Sequence, residues 1–217
     1  MPAEHAGGKW QLRYPSAGGQ GGNLEVDVNF MFRIPLWSVK TLDSKPVGIW
    51  QAVGIQVVDI HELAAGKLSA LLSRQQARDL FDCSNLFHLE CLDRERLRLA
   101  FIVYGAMSRK DWRTVTLNDV DFDITDLDQK LIPTLRAAGI ERMQQDHFSK
   151  SLVTDCRNLL AGLLPFTENE MEFLNRVLDK GEIDSELLTD DADLQDRIKR
   201  HPLLEWKAMN VREFRKI

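Results

Sequence analysis

Residues 59–82 run DIHELAAGKLSALLSRQQARDLFD, and across their start the hydrophobic period changes from two residues to about 3.6. Before Asp59 the pattern is that of strands. Leu24, Val26, Val28 and Phe30 alternate with Glu25, Asp27 and Asn29, which sets an apolar and an acidic face on one strand. Trp10, Leu12 and Tyr14 alternate with Gln11 and Arg13 in the same way, and Gly18, Gly19, Gly21 and Gly22 suit the connection between the two. A further β-like passage covers residues 49–60 and includes Val53-Gly54-Ile55-Gln56-Val57-Val58. After Asp59, Leu63, Leu68, Leu71 and Leu72 give residues 61–73 the apolar side of a helix. Residues 79–89, 95–107, 126–138 and 144–164 repeat that pattern. Thr167-Glu168-Asn169-Glu170 opens another helix with a capping box, and Gly181 ends it. Short helices are predicted over 192–200 and 203–209. The fold class is therefore α+β: a small, mostly antiparallel sheet of about four strands within residues 1–60, then a larger α-helical region over 61–217.

The bulk numbers agree with a packed globular chain. Of 217 residues, 44% are apolar and 28% charged, which suits one large domain or two small ones. No apolar run approaches the ~20 residues that span a bilayer, and the start MPAEHAGGKW lacks the basic-then-apolar pattern of a secretion signal. Cys83, Cys91 and Cys156 form no CxxC pair, so a reduced cytoplasm is expected and a zinc site is not. A net charge of −5 argues against indiscriminate nucleic-acid binding and leaves a local basic face open. Residues 165–193 carry ten acids against Arg176 and Lys180, whereas 194–217 carry seven Lys/Arg against three acids. This asymmetry describes either solvated helix faces of opposite sign or a basic segment near a phosphate or RNA path.

Candidate chemistry gathers on the quoted stretch. On an unbroken helix Lys67, Arg74, Arg78 and Asp82 would share one stripe roughly 80° wide at 100° per residue. Such a cationic stripe suits a polyphosphate, with Lys as a point charge and Arg as a two-pronged donor. Gln75-Gln76-Ala77 offers the alternative of a break, after which Arg78-Asp79-Leu80-Phe81-Asp82 begins its own helix. Arg78 and Asp82 also have the spacing of an ordinary surface ion pair, and Asp79 that of a helix-start acid. Glu25 and Asp27 point the same way from one strand and can share a divalent cation, or simply form the wet face of the sheet. Asp121-Phe122-Asp123 reads as a loop or cap. His5, His61, His88, His147 and His201 show no metal spacing, His61 and His88 suiting local hydrogen bonds at helix ends. Ser69 and Ser73 have no recognisable His/Asp partner. Trp112, Trp206 and Phe214 suit packing more than base stacking.

Two passages taken together, EVDVNF at 25–30 and ELAAGKLSALLSR-QQA-RDLFD at 62–82, resemble the AbiEii/AbiGii toxin family of nucleotidyltransferases, in the DNA polymerase β-like superfamily. The similarity extends to the tail from His201 to Val211 and covers nearly the whole chain. It implies a bacterial, cytoplasmic toxin of a toxin–antitoxin or abortive-infection (phage-defence) pair. Such a toxin transfers a nucleotide from a nucleoside triphosphate, with Mg²⁺, to an acceptor such as RNA. It further implies Lys67, Arg74 and Arg78 as nucleotide contacts, Asp79, Asp82 and Lys67 as catalytic or orienting groups, and Asp27 as a metal ligand. A cognate antitoxin is the implied partner. The superfamily's Gly-Gly or Gly-Ser turn followed by a DxD strand has no counterpart here, because Gly18-Gly19 and Gly21-Gly22 stand too close to the Asp27 strand. The first two metal carboxylates are thus expected to lie outside this sequence. The alternative expectation is a truncated, inactive toxin-like protein that binds a partner, a nucleotide or RNA.

Overall fold

A computed structural model describes residues 7–15, 21–89, 91–135 and 142–216. Its architecture is α+β, with two separate two-stranded antiparallel sheets where the sequence suggests one sheet of about four strands. Strands β1 (Gly7–Pro15) and β2 (Gly21–Asn29) pair in a long hairpin. The register sets Trp10 opposite Val26 and Leu12 opposite Leu24 on one face, and Lys9 opposite Asp27 and Gln11 opposite Glu25 on the other. The alternation is therefore real, but Trp10, Leu12 and Leu24 remain more than half exposed. Gly18 and Gly19 of the connection lie outside the described residues. The second sheet is short: β3 (Lys40–Leu42), which shows no clear alternation, pairs with β4 (Ile55–Val57).

The helical region carries the core. Helix α1 (Ile60–Arg74) buries Ala64, Ala65, Leu68, Leu71 and Leu72, and Asp59 caps it by accepting from the His61 amide at 3.0 Å. Gln75, at φ 54°, turns the chain into the left-handed region and ends the helix. Of the two readings of this segment, the break is the one that forms, and α2 (Ala77–Phe87) starts anew. Helix α3 (Arg94–Ala106) packs along α1, and Phe101 meets the fully buried Trp112 with ring centroids 5.0 Å apart. Gly105 makes this possible, since a Cβ there would fall 2.0 Å from the Trp112 ring nitrogen.

Of the segment expected as a helix over 126–138, the described part is irregular instead, and residues 136–138 lie outside the described residues. Helix α4 (Ile124–Asp126) runs into a wide π-type turn, Leu127–Leu131, and a tight 3-10 turn, Ile132–Thr134. Pro133 has no amide hydrogen to continue a regular helix. Helix α5 (Arg142–Ala161) packs on α2. Helix α6 (Glu168–Asn175) begins with the expected capping box of Thr167 and Glu170 and ends, through a π turn, at Gly181 with φ 65°. Helices α7 (Ala192–Lys199) and α8 (Pro202–Arg215) close the chain, α8 extending a turn and a half past its expected end. None of the described helices is long and apolar enough to cross a membrane.

Candidate functional site

Helices α1 and α2 form an antiparallel hairpin whose facing residues pair across the gap. Nearest the turn, Arg74 grips Asp79 with both prongs, Nε to Oδ2 at 3.1 Å and Nη2 to Oδ1 at 2.8 Å. Asp79 is almost fully buried (3% exposed), whereas Arg74 is half exposed (49%). Further from the bend, Lys67 Nζ donates to Asp82 Oδ2 at 2.7 Å, and both side chains are about 40% exposed. Arg78 is exposed, and its Nε donates to the Gln76 side chain at 3.1 Å. The i, i+4 ion pair that the sequence allows between Arg78 and Asp82 does not form, because Asp82 faces Lys67 across the gap.

Two supports of this hairpin are not visible as sequence patterns. Asp126, from the far side of the chain, accepts the Ala77 amide at 2.9 Å and so caps α2, whose own N-cap residue Gln76 makes no side-chain bond. Lys130 holds the same carboxylate at 2.6 Å, and these two bonds keep Asp126 below the usual carboxylate range. Beneath α1, Glu62 is buried and accepts the Leu36 amide at 2.9 Å, the Trp37 amide at 3.2 Å and the Tyr104 hydroxyl at 3.1 Å. Burial pushes the Glu62 carboxyl up despite these bonds, and it pushes the Tyr104 phenol up as well.

The helix-start role expected of His61 is what the structure shows, extended by one long-range bond. Its Nε2 accepts the Asp93 amide at 2.8 Å, so Nδ1 carries the hydrogen and donates to Asp59 at 2.5 Å. Burial alone would raise Asp59; the His61 bonds and Lys40 outweigh it and hold the carboxyl low. Asp123 of the Asp121-Phe122-Asp123 run accepts the Thr125 amide at 2.8 Å, the cap that the sequence suggests. Ser73 shares a hydrogen bond with Ser108 at 3.1 Å. Trp112 is core, whereas Trp206 and Phe214 are exposed at the chain end.

The structure does not bring Asp27 to this hairpin. It lies opposite Lys9 on the polar face of β1–β2, where Glu25 is taken up by Lys9 at 2.8 Å and Gln11 at 2.9 Å. Among the described residues no group of three or more His, Cys, Asp or Glu converges as a metal site. The residues described here thus do not fit the divalent-cation centre that the resemblance implies.

Fold and site together define an α+β protein with a helical hairpin of facing cation–carboxylate pairs. A family model described as nucleotidyl transferase AbiEii toxin, Type IV TA system, matches residues 2–199. The chain belongs to this AbiEii family, and with it to the toxins of toxin–antitoxin systems. No curated protein and no solved structure matches the chain.

Proposed function

We propose that the protein transfers a nucleotide from a nucleoside triphosphate to an acceptor RNA, as the toxin held in check by a cognate antitoxin. The observation that carries this reading is the half-exposed Lys67–Asp82 pair, 2.7 Å apart and open to solvent beside a cleft. Lys67 is a mobile point charge that can leave Asp82 for a phosphate oxygen. That exchange frees the Asp82 carboxylate to accept the proton of an incoming hydroxyl, whose oxygen bonds to the α-phosphorus as pyrophosphate leaves. Arg78, whose Nε is engaged only by the neutral Gln76 side chain, is the second phosphate contact. Arg74 and Asp79 act differently: the fork onto the buried Asp79 carboxylate fixes α1 against α2 and so sets the distance between Lys67 and Asp82. Asp79 is on this view an orienting residue, and Asp82 the group that meets substrate.

The test is incubation of the purified chain with α-labelled nucleoside triphosphates, Mg²⁺ and total RNA, alongside growth of cells expressing it. Label should pass to RNA, and Asp82→Ala and Lys67→Ala should each lower transfer by at least ~100-fold, about 3 kcal/mol for one electrostatic interaction at the reacting phosphate. Both variants should relieve toxicity while the circular dichroism stays unchanged. Undiminished transfer in both folded variants would remove these residues from the chemistry. Nucleotide binding without transfer in the folded wild type would replace the enzyme reading with that of a nucleotide-binding protein.

A further inference from the structure

We infer that the apolar end of the α1–α2 cleft seats the nucleobase, and that Asn85 reads its edge. This inference rests on the assignment of Lys67 to the triphosphate. The cleft, about 260 Å³, is lined by Leu63, Lys67, Asp82, Asn85, Leu86 and Leu89. On α1, Leu63 lies one turn before Lys67; on α2, Asn85 and Leu86 lie one turn beyond Asp82, and Leu89 follows just past the helix end. Polarity therefore changes steadily along one groove. The Arg74–Asp79 fork stands nearest the bend, Lys67 and Asp82 come next, and three leucines follow at the open end.

A nucleotide has the same order of parts, from anionic phosphates through a sugar to a planar ring with apolar faces. The volume falls just below the ~300 Å³ at which pockets for drug-sized ligands begin, enough for one ring system and its sugar. Leu63 and Leu89 are both more than 40% exposed, so a ring laid between them would cover apolar surface that now faces water. Asn85 is exposed, and its side chain makes no hydrogen bond among the described residues. Its amide offers two donors and an acceptor at the one polar position of this end that carries no charge.

An asparagine amide can turn over and match the mixed donor–acceptor edge of any base, whereas an aspartate accepts only. Asn85→Asp should therefore favour the base that presents two adjacent donors, guanine through N1–H and its exocyclic amine. The experiment is equilibrium binding of ATP, CTP, GTP and UTP to the full chain in four forms: wild type, Asn85→Asp, Asn85→Leu and Lys67→Ala. Asn85→Asp should move the ranking toward GTP by about tenfold, whereas Asn85→Leu should weaken all four nucleotides without that move; one hydrogen bond sets that scale. Lys67→Ala should weaken all four nucleotides alike. The ranking is the readout, because the added charge of aspartate lowers affinity for every triphosphate. An unchanged ranking in Asn85→Asp, with Lys67→Ala still weakening binding, overturns the base assignment alone. Failure of both readings would show as a wild type that binds none of the four, or as indifference to Lys67→Ala.

Discussion

His201 is fully buried beside the stacked rings of Phe32 and Tyr104, with centroids 5.6 and 6.2 Å away, and neither ring nitrogen has a hydrogen-bond partner among the described residues. Burial pushes its pKa down to about 4, and the positive charge of nearby Arg33 adds to the effect. The folded protein therefore excludes a proton that the unfolded chain accepts below its ordinary value near 6.5. Stability from this residue is at its maximum above about pH 7, falls as pH drops below ~6.5, and stops falling near ~4. Between about pH 7 and 5 the decrease should be about 2 kcal/mol. The check is a pair of urea titrations at those two pH values on the wild type and on His201→Phe, which keeps an aromatic ring in the slot. On acidification the wild type should fall by about 2 kcal/mol more than the variant. Equal decreases would mean that His201 takes up its proton without unfolding anything.

At the scale of single elements, α2 has its first amide capped by a residue from another element. Gln76 supplies no cap, and the carboxylate of Asp126 takes the Ala77 amide instead. Asp126→Ala should cost about 1 kcal/mol of stability, the usual worth of a cap, and Asp126→Asn should recover most of it. Equal melting temperatures for Asp126→Ala and wild type would show that solvent replaces the bond at no cost. Asp126 also shows why legibility ends where it does. Helices with local signals are readable: α1 from its leucines and Asp59, α6 from Thr167 and Glu170, and α3 from its apolar run. Residues 126–135 mislead because their apolar spacing takes no account of Pro133, which bars a regular helix there. Asp126 sits 49 residues from the amide it caps, and no periodicity links the two. The site divides along the same line. Lys67 and Asp82 stand out by residue type and spacing, but their pairing depends on Gln75 adopting a left-handed turn that the sequence only allows. The Arg74–Asp79 fork follows from the same turn, which is why spacing alone offers an Arg78–Asp82 pair just as readily.

At the scale of the whole molecule, part of the charge on the described residues is paired internally. The acidic stretch and the basic tail meet each other: Arg215 reaches Asp179 at 3.1 Å, Lys199 reaches Glu186 at 3.5 Å, and Arg113 joins Asp179 at 2.5 Å. Lys207 donates to the Ser108 carbonyl at 2.9 Å. Neither sequence reading of this asymmetry includes such pairing, which joins part of the acidic stretch to part of the basic tail. Among the described residues, the strand region is tied to the helical body most firmly around Leu36. Leu36 is buried, Arg197 holds the Pro35 carbonyl at 3.1 Å, and both carboxylate oxygens of Glu62 receive the amides of Leu36 and Trp37. Glu62 also sits within α1, a turn and a half before Lys67, so the side chain that anchors the strands also positions the helix that carries the candidate lysine. Glu62→Ala would leave two amides and the Tyr104 hydroxyl without their acceptor, and should cost about 2–4 kcal/mol. Amide exchange at Leu36 and Trp37 should then accelerate far more than exchange along α3, since these are the bonds that join segment 33–37 to the body. Unchanged protection at Leu36 and Trp37 in the variant would mean that Leu36 packing alone holds the junction, and that Glu62 is not what couples the strand region to the hairpin.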